Sequence, residues 1–311
     1  FSDLKKYVEE FSQEHKKFLK EAQVKKSNKI NILKTVFSTY NSSNINSYRD
    51  VGKTSWTTLI NGLTRFLKSK YRKSFLDKNA KMFFVTKRPY AYFPLHMEPE
   101  RSLLKKAQFY SDQLSVIKNV IQSLPVEMDL IVKEHPSMQL IGWRKVEFYK
   151  ELMSLPKVRL IHPFVQNQDI IERSSLVVAI AGTAALEAAF FEKPSIVFSD
   201  VDCSSLSSVF KIDNVEELPE IIKKSLDTKV NLVELNQFVH EVIKSSFSSD
   251  VSKLQNKMIQ IFGIGGYFIG NEISEVQMNT FIEKYKNSFE ILAEEHIKQI
   301  KLIKNNDLSS N

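Results

Sequence analysis

Between residues 90 and 226 the chain repeats one theme five times: a short apolar run that does not alternate, followed by apolar residues at helical spacing. The runs are YAYFPL (90–95), DLIVK (129–133), VRLI (158–161), LVVAI (176–180) and PSIVF (194–198). The helical stretches that follow lie near 110–123, 144–154, 167–173, 183–192 and 214–226. A strand apolar at successive positions has to be covered on both faces, as parallel strands between helices are. Five β-α units with short loops therefore predict an α/β fold, a Rossmann-type, doubly wound parallel sheet. In such a sheet ligands sit at the carboxyl ends of the strands, so the residues after each run are the candidates for chemistry.

The flanks read differently. Leu4, Tyr7, Val8, Phe11, Phe18 and Leu19 predict an amphipathic helix over 3–26, and NILKTVFSTY (31–40) reads as a strand before an Asn- and Ser-rich loop. Trp56, Leu59, Ile60, Leu63, Phe66, Leu67 and Tyr71 predict a second helix over 54–74. After 230 the pattern is helical to about 303, broken at FGIGGYFIG (262–270), which reads as a tight turn because Phe268 replaces the third glycine of a dinucleotide fingerprint. The expected organisation is a basic helical segment over 1–84, a Rossmann-like nucleotide-binding domain over 85–230 and a helical region over 231–311.

Charge separates the first of these from the rest. Residues 1–80 hold 17 Lys and Arg against 7 Asp and Glu, while the other 231 residues carry 27 against 29. Such a surplus suits an anionic membrane surface or acidic glycan, although a lysine-rich helix face bathed in solvent is the plainer reading. Nucleic acid is not expected, since no aromatic-basic motif accompanies the charge. The single cysteine, Cys203, cannot form an internal disulfide and favours a reducing, cytoplasmic setting. No run of eighteen apolar residues or signal peptide is read, and a start at Phe1 instead of methionine reads as a fragment or processed chain. The expected location is cytoplasmic, with peripheral contact at the inner face of the membrane through residues 1–80.

The strand ends carry the candidate site. YAYFPL leads into His96, Met97, Glu98, Pro99 and Glu100; DLIVK ends in Lys133 and leads into Glu134, His135 and Pro136; LVVAI leads into Ala181, Gly182 and Thr183, with Glu187 about one helical turn on. Glycine permits a sharp turn and close approach of the backbone to a ligand, and Thr183 is expected to cap the next helix. Free amides there suit a phosphate, and Glu187 is placed to reach ribose hydroxyls. The His135 imidazole can donate to a phosphate oxygen and Lys133 adds positive charge. His162-Pro163, with nothing basic adjoining, reads as a loop element. VGKT (51–54) is not a phosphate loop, because position 47 is Ser47 where the motif needs glycine. The six histidines and one cysteine show no metal-ligand spacing, so a metal-free chemistry with no cofactor is expected.

YFPLHMEPE, YSDQLSVI, LIVKEHP, FYKELMSLPKVRLI and AGTAALEAAFFEKPSIVF, in this order and spacing, resemble the capsule polysaccharide biosynthesis proteins. These are bacterial surface-glycan glycosyltransferases related to the β-Kdo transferases. The resemblance covers about residues 90–200. It implies a GT-B fold, with the nucleotide sugar mainly on the domain at 85–230 and residues 1–84 as a remnant of the acceptor-side domain. It places the family's Gln-Pro-Glu motif on Glu98-Pro99-Glu100, with Glu for Gln, and its His-Pro motif on His135-Pro136. It implies a nucleotide-sugar donor, CMP-activated in several members, and a glycan or glycolipid acceptor. The stretch after Phe198 departs from the family pattern.

The resulting expectation is a metal-independent glycosyltransferase. Glu100 acts as the principal catalytic carboxylate, with Glu98 and His96 beside it, and Glu98 has a lesser alternative as a cap or salt-bridge partner. Lys133, His135, Pro136, Gly182, Thr183 and Glu187 hold the nucleotide sugar. A hydrolysing sugar-nucleotide epimerase and a non-catalytic glycan- or nucleotide-binding component remain the rival readings.

Overall fold

The computed structural model describes residues 55–82, 86–99, 101–247, 251–262 and 273–309. The expected helix over 3–26, the strand over 31–40, VGKT, Glu100 and most of FGIGGYFIG lie outside them. The described residues up to Val239 form one compact unit and those from His240 onward a second.

In the first unit, helix α1 (Ser55–Asn79) precedes β1 (Tyr90–Pro94), α2 (Arg101–Lys106) and α3 (Gln113–Ser123). Next come β2 (Asp129–Lys133), α4 (Met138–Ile141), α5 (Val146–Ser154) and β3 (Val158–Ile161). Then follow α6 (Asn167–Glu172), β4 (Leu176–Ala179), α7 (Ala184–Phe190), β5 (Ser195–Val197), β6 (Val209–Lys211) and α8 (Leu218–Leu226), and α9 (Leu232–Ser245) begins in this unit and runs past Val239. The six strands form one parallel sheet in the order β3-β2-β1-β4-β5-β6. This is the doubly wound α/β architecture expected from the apolar runs. β6, the half-exposed VFK, was not legible inside a serine-rich stretch.

Strand alternation divides the core between the two faces. Ala91, Phe93, Leu130, Val132, Leu176 and Val178 point to one side, where Ile117 and Val120 of α3, Tyr149 and Leu152 of α5, and Leu218 and Ile222 of α8 cover them. Tyr90, Tyr92, Ile131, Ile161 and Val177 point to the other, against Ile170 and Ile171 of α6 and Ala188 of α7. Burial on both faces explains why these strands read as continuous apolar runs. Helix α3 starts where Asp112 accepts from the amides of Leu114 and Ser115, a side-chain N-cap. The Ser115 hydroxyl, together with those amides, holds the Asp112 carboxyl below its ordinary value.

The order of strands fixes where a ligand can enter. From β1 the chain winds outward through β2 to β3, then returns to place β4 on the opposite side of β1. The two crossovers leaving β1 and β4 diverge to opposite faces, opening a crevice between their carboxyl ends. The loops lining that switch point are 95–99 and 180–183.

The second unit is helical: α10 (Val251–Phe262), α11 (Glu275–Lys284) and α12 (Lys286–Ser309), packed through Leu254, Phe262 and Phe281. Helix α11 opens with a reciprocal capping box between Ser274 and Gln277. Among the described residues, no helix is long and apolar enough to cross a membrane.

Candidate functional site

The switch point brings together residues 85 positions apart. The main-chain N–H of Ala181, just past β4, donates to Nε2 of His96, just past β1, at 3.2 Å. Gly182 follows with φ +98°, a conformation that L side chains rarely adopt. A Cβ placed on Gly182 would stand 3.5 Å from Cε1 of His96. Glycine thus serves both the turn and the approach of the two loops. Gly182 and Thr183 are solvent-exposed, and His96 is half-buried. Since Nε2 of His96 accepts a hydrogen bond, the neutral ring carries its proton on Nδ1.

Two side chains hold the His96 loop from behind. The Gln113 carboxamide, at the start of α3, accepts from the His96 amide at 2.8 Å and donates to the His96 carbonyl at 3.1 Å. Arg144 donates through Nη2 to the same carbonyl, pairs through Nη1 with Glu98 at 2.7 Å, and pairs through Nε with Glu134 at 2.8 Å. Glu98 also contacts the Gln113 amide through its other oxygen. Its carboxylate is thereby engaged on both sides, by Arg144 and by Gln113.

Glu134 is fully buried. Besides Arg144 it accepts from the Tyr149 hydroxyl at 2.8 Å and from the His135 amide at 2.6 Å. Burial raises its carboxyl above the ordinary value against the pull of Arg144 and Tyr149. Burial alone would lower Arg144, but Glu134 and then Glu98 more than offset it, so the guanidinium is held firmly charged. Burial, reinforced by Glu134, raises the Tyr149 phenol and keeps it a donor.

His135 and Pro136, half-buried, stand at the end of β2, and β1 separates β2 from β4 in the sheet. The His135 and Thr183 loops therefore share the carboxyl edge, one strand apart. Nδ1 of His135 accepts from the Ser137 amide at 3.2 Å, so the neutral ring carries its proton on Nε2. Lys133 and Glu134 turn to opposite faces of the sheet, as neighbours along a strand must. Lys133 is only 4% exposed, and its ammonium contacts Asn167 of α6, which also receives the Tyr92 hydroxyl at 3.2 Å. On the same face Glu187 lies near enough, after the dominant effect of burial, to help raise the Tyr92 phenol.

One local expectation is corrected. Thr183 occupies the N-cap position of α7 but makes no side-chain cap, because its backbone is helical (φ −79°, ψ −12°) and not extended. Its hydroxyl donates to Glu187 at 3.0 Å instead. His162 is the loop element the sequence suggested: its Nε2 meets Asp77 of α1 at 3.1 Å. Sequence reasoning missed Gln113 and Arg144. Arg144 was read into a helix near 144–154 but stands in the turn ahead of it, after Gly142 (φ +95°) and Trp143 (φ +66°). Among the described residues, no group of three or more His, Cys, Asp or Glu is placed to hold a metal ion.

A family model described as capsule polysaccharide biosynthesis protein matches residues 2–200. Among solved structures, the chain is similar to the UDP-GlcNAc 2-epimerase from Methanocaldococcus jannaschii (18% identity, TM-score 0.37, 52% of this chain and 44% of that one). It is also similar to Thermosulfurimonas dismutans KpsC, beta Kdo 2,7 transferase (19% identity, TM-score 0.35, 61% and 59%). The beta Kdo 2,4 transferase of the same organism gives 11% identity, a TM-score of 0.34, and coverage of 55% and 54%. The chain thus spans roughly half the length of these proteins. No curated protein matches it.

Proposed function

This chain belongs to the capsule polysaccharide biosynthesis protein family, and from that premise we propose that it transfers a sugar from a nucleotide-sugar donor to a glycan or glycolipid acceptor. CMP-activated sugars are the favoured donors, and the unit up to Val239 supplies the donor-side half of a GT-B arrangement. The observation that carries this reading is the contact between His96 and Ala181 at the switch point, beside exposed Gly182 and Thr183. It supports a crevice in which polar groups from two crossover loops converge where a doubly wound sheet receives its ligand.

In the proposed reaction the acceptor hydroxyl oxygen bonds to the anomeric carbon as the bond from that carbon to the donor phosphate oxygen breaks. The acceptor proton passes to a base, and the nucleotide leaves as an anion. Positive charge develops on the sugar carbon, where a fixed carboxylate stabilises it; Glu100 is assigned this role, or that of base on the acceptor. Nε2–H of His135 and the amides of the Gly182-Thr183 turn meet the leaving phosphate. α7 has only seven residues, so local amides matter more here than a helix dipole. Lys133, being buried, contributes charge more than contact, and Glu187 takes ribose hydroxyls. His96 contacts the sugar, and no metal enters the scheme. Residues 1–80 carry the peripheral contact with an anionic membrane that would bring a glycolipid acceptor within reach.

The test is nucleotide release from CMP- and UDP-sugars with and without a capsular oligosaccharide or glycolipid acceptor. The account expects release that depends on acceptor and a product one sugar longer. Release of free sugar at the same rate without acceptor would assign hydrolysis instead.

A further inference from the structure

His96 is gripped in a way that closing a loop does not require. Its ring meets the crevice loop of β4 through Nε2, and its main-chain N–H and C=O are both taken by side chains. Those side chains arrive from elements 17 and 48 positions along the chain. Gln113 is 1% exposed, a carboxamide buried among the apolar residues of α3, where apolar packing alone would favour a hydrocarbon. Its oxygen and nitrogen both reach the main chain of His96, the nitrogen also contacting Glu98, a two-point attachment that fixes the backbone from which the ring projects as one hydrogen bond cannot. Arg144 adds a third point through Nη2, and its remaining nitrogens are fixed by Glu98 and Glu134. The turn carrying Arg144 is pinned in turn by Arg72 of α1, whose Nη1 donates to the Trp143 carbonyl at 2.9 Å. Gln113 and Arg144 both reach the main chain of His96, whose ring accepts from the Ala181 amide.

We propose that Gln113 and Arg144 are positioning residues that together set the orientation and tautomer of His96 at the switch point, and that they influence the donor only through His96. The effect on the donor rests on the reading of the crevice as a nucleotide-sugar site; the effect on His96 does not. A neutral histidine free to rotate exchanges its proton between both nitrogens. One whose Nε2 is held on an amide keeps its proton on Nδ1.

The experiment is side-chain 15N NMR on the full chain with labelled histidine, at pH 8, with the His96 signals identified by their loss in His96→Gln. Wild type is expected to show His96 as one fixed tautomer, with Nδ1 protonated and Nε2 not. Arg144→Lys keeps a charge beside Glu134 but loses the fork, and Gln113→Asn is too short to span both main-chain groups. Each is expected to replace the fixed signature with an exchange-averaged one while the other histidine signals stay in place. Either variant, folded, decides the matter, and a His96 signature unchanged in it would overturn the proposal. Glu98→Gln, at a side chain 42% exposed, leaves both grips on His96 and is expected to leave the signature as in wild type. Binding of CMP and UDP is then compared in a double-mutant cycle. Arg144→Lys is expected to weaken binding about tenfold alone and not at all in the His96→Gln background. Equal weakening in both backgrounds would overturn action through His96. Absence of nucleotide binding in wild type would contradict the donor site and leave the NMR result to judge the clamp.

Discussion

Arg144→Met is expected to lower the stability of the first unit by about 3–5 kcal/mol, the usual effect of removing one partner from a buried ion pair. The size follows from what stays behind. Glu134 is fully buried, and methionine leaves it with one hydroxyl and one amide where it had a guanidinium as well. Glu98, being half-exposed, can turn to water and adds little. Urea unfolding followed by circular dichroism measures the loss. Two further results identify its cause. Adding Glu134→Leu to Arg144→Met is expected to restore most of the stability, because the stranded charge is then gone. Lower pH is expected to narrow the gap to wild type. Burial already raises the Glu134 carboxyl, and loss of Arg144 raises it further. A folded-state value above the unfolded one, about 4.3, means stability fully present below that pH and lost as pH rises through the folded value. A loss under about 1 kcal/mol at pH 8 would show that the Glu134–Arg144–Glu98 cluster does not hold these loops together.

His135→Ala and Glu100→Gln are each expected to lower transfer by at least about 100-fold in kcat/KM, the lower range for loss of a positioned proton donor or charge-stabilising group. His135 is half-buried, and its ring accepts a hydrogen bond from the Ser137 amide. Loss of that bond costs about 1 kcal/mol of stability, far short of unfolding the sheet. Glu100→Gln keeps the shape and removes the charge. Steady-state kinetics separate the two roles: loss of a contact to the donor phosphate raises KM as well as lowering kcat in His135→Ala, whereas loss of the carboxylate lowers kcat with KM for the donor nearly unchanged in Glu100→Gln. Wild-type turnover by both would remove them from the mechanism.

The sheet was legible because its strands are covered on both faces. DLIVK has three successive apolar residues between its charged ends, VRLI has Arg159 as its one polar residue, and the structure starts and stops both strands at the bounds of those runs. VFK escaped because an edge strand of three residues, half-exposed, follows serines and has no such burial to declare it. The rim was legible for the same reason in reverse: His96, Glu98, Glu134 and His135 stand out where apolar runs stop. What connects them was not. Gln113 sits one residue after a capping aspartate, where a polar side chain is ordinary. Arg144 follows Gly-Trp in a turn whose two positive φ angles nothing but Gly142 announces. Their partners lie on other elements, so no spacing along the chain pairs them. The Thr183 cap failed because residue type permits a cap but backbone conformation decides it.

The central claim is that the loops after β1, β2 and β4 converge on a nucleotide. Its most direct test is the melting temperature of the chain with CMP, UDP, GDP and ADP, each compared with Gly182→Val, in which a branched side chain stands at φ +98° against the His96 ring. A ligand of the folded state present at about 100 times its Kd stabilises by about 2.7 kcal/mol, well within the reach of thermal unfolding. The account predicts that one of the four, CMP first, raises the melting temperature of wild type, and that a folded Gly182→Val chain loses that shift. No shift with any of the four, or a shift that survives Gly182→Val intact, would contradict it.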